Sequence, residues 1–264
     1  MPTEKRKKIS YRLDFAYDGT QFAGWQRQAD AKLRSVQECL EEYFCRLTGE
    51  EAVDIRVAGR TDAGVHAVGQ VGRIRLCQPL MHRQITRVNN LCVWAITEVP
   101  SNFHPSFGSK SRSYVYMIDA SALDSLFLQE LPGKGNPDSV KQDALSHLVE
   151  RVNELLEPLV GQDLDYFAFS YGRVKTETTL CCLSHTCARI VQKCNDKDRA
   201  IAIELTGNRF LRRMVRILVA TAIQYALFPE SSDETLLSLI ELRDRSKTAP
   251  PAPAAGLVFI GADC

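Results

Sequence analysis

The sequence predicts an α+β fold: two similar lobes with mainly antiparallel mixed sheets backed by helices. Three observations predict it. Strand-like alternation and helix-like periodicity follow one another in mixed order, without the strict β-α alternation of a doubly wound sheet. The 264 residues suffice for two lobes of about 130 residues, each large enough to bury a core. The composition, 45% hydrophobic and 25% charged, is that of a globular protein and excludes a disordered tail, a collagen and a disulfide-dense toxin.

The elements follow in order. Lys5 to Lys8 reads as a frayed tail. Tyr11, Leu13, Phe15 and Tyr17 alternate with Arg12, Asp14 and Ala16, a strand with one buried face, ending in the turn pair Asp18-Gly19. Ser35 and Glu38 form a capping box ahead of Val36, Cys39, Leu40, Tyr43, Phe44 and Leu47, an apolar helical stripe. Strands are expected at Ala52 to Val57, Val68 to Leu76, Val93 to Glu98 and Ser113 to Ile118, with a short helix at Met81 to Asn89. Trp25 and Trp94 are read as core.

The first lobe is taken as 1–120. Residues 121–138 hold two Pro/Gly clusters and read as the connection. The second lobe, 139–264, offers a helix at 139–157, paired strands at Cys182 to Gln192 and Ala200 to Thr206, and a long helix from Asn208 to Leu227. A short helix near 233–242 and a last strand from Leu257 to Ile260 complete it.

Charge and cysteine usage narrow the class. With 33 Lys+Arg against 32 Asp+Glu the net charge is +1, so a polyanion partner requires a local basic surface. Nine scattered cysteines and an N-terminus with no apolar stretch after its charges read as a reduced, cytoplasmic protein. No run of about 18 apolar residues predicts a membrane span. Cys181, Cys182, His185, Cys187 and Cys194 lack the paired spacing of a zinc ribbon or finger, so no metal is expected.

Three segments carry candidate chemistry. In Ala58-Gly59-Arg60-Thr61-Asp62-Ala63-Gly64, glycines permit close approach of a ligand to a carboxylate, Asp62, and an arginine, Arg60. The plain alternative is a tight turn with a surface Arg-Asp pair. His66 beside it is weighed as a general base and read instead as a hydrogen-bonded structural residue. Lys110 and Arg112 precede a strand bearing Tyr114 and Tyr116, a pairing of cations and aromatics that suits nucleic acid or, equally, a core strand with a charged entry. Arg209, Arg212, Arg213 and Arg216 fall at i, i+3, i+4 and i+7 of the expected long helix. The first three suit a phosphate-binding stripe, while Arg216, among Val215, Ile217 and Leu218, requires an anionic partner if buried.

Together these strings resemble the TruA family of tRNA pseudouridine synthases. The likeness covers most of the chain: Tyr17-Asp18-Gly19, Phe22, Gly24-Trp25-Gln26-Arg27-Gln28, Ser35-Val36-Gln37, Gly59-Arg60-Thr61-Asp62-Ala63-Gly64-Val65-His66 and Gly69-Gln70-Val71. It continues with Phe103-His104, Arg112 to Tyr116, Gly207 to Arg216, Thr248-Ala249-Pro250 and Gly256-Leu257.

The resemblance implies a pseudouridine-synthase-like fold with a cleft between lobes. It implies isomerisation of uridine to pseudouridine in the anticodon stem-loop of tRNA, at nucleotides 38 to 40. No metal or organic cofactor is implied, and a homodimer is. By the same likeness Asp62 is the nucleophile, Tyr114 stacks on the base and assists proton transfer, Arg60 holds the flipped nucleotide, Arg216 pairs with Asp62 and Leu257 lines the pocket. Arg27, Lys110, Arg112, Arg209, Arg212 and Arg213 are expected RNA contacts. Attack of Asp62 on the ribose, attack on the base and assistance of a glycal route all stay open.

The chain departs from the family pattern at Gly161 to Phe169, near Thr179-Leu180-Cys181-Cys182 where a common arginine is replaced, and in an expanded Pro-Ala stretch. The alternatives are a pseudouridine synthase for another RNA site, a non-catalytic RNA-binding protein, and a zinc-dependent nucleic-acid protein.

Overall fold

The computed structural model describes residues 8–28, 32–80, 86–88, 90–123, 137–174, 176–193, 198–229 and 235–264. It is α+β, with mostly antiparallel strands backed by helices. The chain divides into two compact units, Met1–Ser113 with Val258–Cys264, and Tyr114–Leu257.

The first unit contains β1 (Ile9–Tyr17), α1 (Val36–Thr48), β2 (Ile55–Val57), β3 (His66–Leu76), β4 (Thr86–Val88) and β5 (Leu91–Val99). β6 (Ser111–Asp119) begins in it, and the final strand β10 (Leu257–Asp263) returns to it. Strand order is β4-β5-β1-β3-β10, with β2 also on β3. The sequence places the lobe boundary at 120 and the last strand in the second lobe. Here Val258–Cys264 joins the first unit, because β10 pairs in parallel with β3 at Val258↔His66 and Phe259↔Ala67.

Residues of β1 alternate as expected, with Leu13, Phe15 and Tyr17 turned into the core. α1 buries Val36, Leu40 and Phe44, and Ser35 and Glu38 close both halves of the capping box. Truncating fully buried Phe44 to alanine is expected to cost about 3–5 kcal/mol. Glu41, also buried on α1, accepts from Gln37 Nε2 at 2.8 Å and the Ile55 N–H at 3.3 Å, so its carboxylate ties α1 to β2.

Two expectations fail here. Thr86–Val88 is a strand paired with β5 rather than helix, and the remainder of the expected helix, 81–85 and 89, lies outside the described residues. Trp94 is 40% exposed rather than core. In the β1–β5 register Asp14 faces Ala95 and Phe15 faces Val93, so Trp94 is the extra residue of a bulge.

The second unit contains α2 (Pro137–Leu156), β7 (Asp163–Asp165), β8 (Leu180–Gln192), β9 (Arg199–Gly207), α3 (Met214–Leu227) and α4 (Leu236–Leu242). Its strand order is β6-β9-β8-β7. α2 packs on β8 and α3 through Leu145, Leu148, Val152 and Leu156. α3 is apolar nearly all round, as a core helix should be. Most of the expected connection, 124–136, lies outside the described residues.

Among the described residues no helix is long and apolar enough to cross a membrane.

Candidate active site

The loop from Ala58 to Val65 joins β2 to β3, and its backbone is held from several directions. Trp25 N–H donates to Thr61 O at 3.0 Å, and Val65 N–H to Asp62 O at 3.2 Å. The Tyr17 hydroxyl meets Thr61 Oγ1 at 2.7 Å. Gln70, fully buried on β3, donates from Nε2 to Gly59 O at 2.8 Å and accepts the Gly59 N–H at 3.4 Å. Gln70 Nε2 also reaches the Tyr17 hydroxyl at 3.4 Å. Burial pushes the Tyr17 phenol up to about 12, so it stays a neutral partner.

Two glycines let this loop approach. A Cβ on Gly19 would stand 2.1 Å from Val65 O, and one on Gly24 would stand 2.8 Å from Thr61 O. Gly24 also has φ +92°, a region costly for any side chain. The Asp18-Gly19 and Gly24-Trp25 strings are thus the bed on which the Asp62 loop lies. His66 fits the structural reading: its Nδ1 accepts the Gly19 N–H at 3.2 Å and lies 3.1 Å from Asp18 Oδ1.

Within this frame Asp62 is half-buried and Arg60 exposed, two residues apart on the same loop. Arg112 braces the entry to the loop at Ala58. Its guanidinium donates to Ala58 O at 3.2 Å, Ser109 O at 3.3 Å and Ser106 O at 2.5 Å. One side chain therefore links the strand entering the Asp62 loop to residues 106–109. Sequence patterning marks Arg112 only as a cation beside aromatics; its carbonyl partners are 3, 6 and 54 residues away.

Lys110 is exposed, with its backbone N–H on Asp263 O at 2.7 Å. Arg27 lies near the acids of α1, 3.2 Å from Glu41 and 3.8 Å from Glu38.

Tyr114, Arg216, Leu257 and the other arginines belong to the second unit. Tyr114 is buried, its ring edge-on to Phe210 with centroids 5.1 Å apart. Leu257 is buried after Gly256, where a Cβ would meet the Tyr116 ring at 2.6 Å. Tyr116 donates to Pro253 O at 2.9 Å, and Arg216 Nε donates to Ala252 O at 2.6 Å. These two bonds dock the Pro-Ala stretch beside α3.

The arginine stripe requires correction. α3 starts at Met214, and residues 208–213 are not helical, so Arg209, Arg212, Arg213 and Arg216 do not share one helix face. Tertiary bonds override a periodic run. Asn208 N–H donates to Cys182 O at 3.0 Å, and Asn208 Oδ1 accepts the Cys182 N–H at 2.9 Å. Arg213 then turns into the helix with φ +59°. Arg212 and Arg213 instead share the half-exposed ring of Tyr171, at 5.5 and 3.8 Å from its centroid. Arg209 is half-buried near Cys181.

At the departure from the family pattern, Asp165 caps the short turn Tyr166–Phe169 and accepts from Thr179 at 2.5 Å and from Arg243. Arg245 donates to Ser170 Oγ at 2.7 Å and Gly172 O at 2.6 Å. The irregular segment is thus pinned by arginines from after α4. Among the described residues, no three or more His, Cys, Asp or Glu side chains gather as a metal would require; Cys194 lies outside them.

Comparison with known proteins agrees with the quoted motifs. A family model described as tRNA pseudouridine synthase matches residues 15–90 and 159–263. "tRNA pseudouridine synthase A" of Anaplasma marginale (strain St. Maries) is 33% identical, over 96% of this chain and 98% of its own. The protein of the same name from Chlorobaculum tepidum is 34% identical over 96% of each chain. That of Latilactobacillus sakei subsp. sakei is 31% identical over 94% of this chain and 95% of its own. The chain belongs to the TruA family of tRNA pseudouridine synthases, isomerases that act on uridine in tRNA.

Proposed function

We propose that this protein isomerises uridine to pseudouridine in the anticodon stem-loop of tRNA, at nucleotides 38 to 40, with Asp62 as the nucleophile. The observation that carries the reading is the fixed backbone of the Asp62 loop, held by Trp25, Tyr17 and Gln70 and bedded on Gly19 and Gly24. A catalytic carboxylate needs such pre-organisation, because small misplacement costs large factors in rate.

The chemistry balances without a redox partner. Uridine and pseudouridine are isomers: the N1–C1′ bond breaks and the C5–C1′ bond forms, the C5 proton leaves, and N1 gains one. The base must leave its stack to react. Asp62 supplies the nucleophilic oxygen and Arg60, exposed two residues before it, suits a phosphate of the flipped nucleotide. The same reading assigns base stacking and proton transfer to Tyr114, charge balance to Arg216 and an apolar pocket wall to Leu257. Arg112, which holds three backbone carbonyls, acts as a positioning residue. Arg27, Lys110, Arg209, Arg212 and Arg213 are assigned to the RNA backbone. The reading includes a cytoplasmic homodimer needing no metal or organic cofactor.

The test is tritium release from tRNA labelled at uridine C5, using the wild type and Asp62→Asn. The wild type is expected to release tritium and the variant to bind tRNA without release. Turnover by Asp62→Asn removes Asp62 from the mechanism. Mapping pseudouridine at each anticodon-loop nucleotide decides the site, and light scattering the oligomeric state.

A further inference from the structure

The segment between β5 and β6 is strapped down by arginines. Arg75 Nη2 donates to Ser101 O at 2.8 Å and Arg73 Nη1 to Phe103 O at 2.7 Å. Arg112 holds Ser106 O and Ser109 O. Within the segment, Gly108 N–H donates to His104 O at 2.8 Å and Phe107 N–H to His104 Nδ1 at 3.1 Å. This is a built loop.

Phe107 projects from it. It is 88% exposed, against 55% for Leu242, the next most exposed large apolar residue among those described. Its ring lies against His104, 4.5 Å away between centroids. A lone exposed apolar side chain means little by itself. Its setting distinguishes this one, since its loop is anchored by several hydrogen bonds and cations act on the His104 against which the ring lies.

Those cations form a ladder. Arg12 pairs across the sheet with Arg73, and Arg73 with Arg56, while Arg75 follows two residues along β3. Like charges directly opposite one another are unfavourable. Asp14 and Asp54 answer Arg12 and Arg56, whereas Arg73 and Arg75 donate to neutral carbonyls. The excess charge reaches the aromatic pair: His104 is held below the usual histidine range by burial and then by Arg73, Arg56 and Arg75. An aromatic face beside excess positive charge is what a nucleic acid strand, with its bases and phosphates, is complementary to. Arg112 also joins Ser106 to Ala58, so Phe107 stands one residue from an anchor shared with the Asp62 loop.

We propose that Phe107 is a base-stacking residue, taking an unpaired base of the RNA substrate on its exposed face while exposed Arg56 and Arg75 meet the adjoining phosphates. The proposal rests on the reading that the substrate is RNA. Such a residue positions substrate and takes no part in bond making.

The test uses full-length protein, the variants Phe107→Ala and Phe107→Trp, and tRNA transcripts carrying 2-aminopurine at single anticodon-loop positions. Phe107→Ala is expected to lower kcat/KM by about 5- to 150-fold, mainly through KM, the range for one lost base–aromatic stack. It should also abolish fluorescence quenching at one position, with the melting temperature unchanged, and Phe107→Trp should restore both. Wild-type kcat/KM and quenching in Phe107→Ala overturn the proposal. So does a change of oligomeric state in parallel with the loss, which assigns Phe107 to a protein interface. Tritium release by the wild type keeps the two readings separate. Release by wild type and Phe107→Ala alike rejects only the stacking, and no release by the wild type rejects the function while quenching still decides Phe107.

Discussion

Gly24 lies against the backbone of Asp62. A Cβ on Gly24 would stand 2.9 Å from the Asp62 carbonyl carbon and 2.9 Å from Ala63 N, and φ there is +92°. Any side chain would therefore push the loop while straining its own backbone. Gly24→Ala is expected to lower kcat by about 100-fold, the order of loss that a 1 Å misplacement brings. The melting temperature should fall by several degrees, from a strain of about 1–2 kcal/mol. Steady-state kinetics and a thermal melt check it; near-wild-type kcat would mean that the loop position does not govern the chemistry.

Tyr17 sits under the same loop, its hydroxyl shared by Thr61 and Gln70. Tyr17→Phe keeps the ring in the core but leaves two buried polar groups short of a partner, a cost of about 1–3 kcal/mol. The expected signature is a lower kcat with KM little changed. The pH response has a definite sign. The folded phenol is raised to about 12 from an ordinary 10, so between those values the native state binds more protons than the unfolded one. The stability it contributes is complete below about pH 10 and is lost as the pH climbs toward about 12. Denaturant melts of wild type and Tyr17→Phe across that window should converge as the pH rises.

Arg112 binds three carbonyls from two segments of the chain. A lysine keeps the charge but lacks the planar fork that reaches all three. Arg112→Lys is therefore expected to loosen residues 103–109 and the entry to the Asp62 loop together. Hydrogen exchange should quicken in both segments, and kcat/KM should fall about 10-fold or more. A purely electrostatic contact with RNA would leave exchange untouched and be rescued by lysine.

How much of this was legible in the sequence depends on the range of the forces involved. The capping box of Ser35 and Glu38 and the alternation of β1 are local, and periodicity alone places them. The Asp62 loop announces itself through its own glycines, Gly59 and Gly64, the second at φ +79°; the reason for Gly19 and Gly24, the approach of Val65 and Thr61 to them, is a contact across the chain. The arginine run misled because it has good helical spacing. The Asn208–Cys182 bonds hold its start in another conformation, so the helix begins six residues late. Trp94 misled because nothing in the composition of β5 marks the bulge. The parallel seat of β10 on β3 joins residues almost two hundred positions apart, beyond any local pattern.

Arg213 separates stability from binding. Its φ of +59° is unfavourable for a side chain, and its guanidinium stands 3.8 Å over the Tyr171 ring. Arg213→Gly relieves about 1 kcal/mol of backbone strain, which offsets the loss of a cation–π contact of about 0.5–1 kcal/mol. If Arg213 meets an RNA phosphate, the slope of log K against log salt should fall by about 1. Anisotropy titrations of labelled tRNA at several salt concentrations measure it. An unchanged slope assigns Arg213 to contacts within the protein, that with Tyr171 among them.

His104 ties the presentation of Phe107 to pH. Its Nδ1 accepts the Phe107 N–H, which only an unprotonated nitrogen does. Burial, then the charges of Arg73, Arg56 and Arg75, lower its affinity for a proton. For a histidine with a depressed folded pKa, the unfolded chain takes the proton first as pH falls. The stability it contributes is therefore present above the ordinary value of about 6.5 and declines below it. Once the pH passes the folded value, the imidazole charges and the bond to Phe107 N–H is lost. Imidazole proton NMR should show His104 titrating below the ordinary histidine value. The Phe107 amide signal should shift with the same midpoint, and quenching of a stacked 2-aminopurine should weaken along the same curve. A His104 midpoint at or above the ordinary value would remove the cation ladder from this loop's electrostatics. A Phe107 amide insensitive to that midpoint would remove the hydrogen bond from the control of the ring.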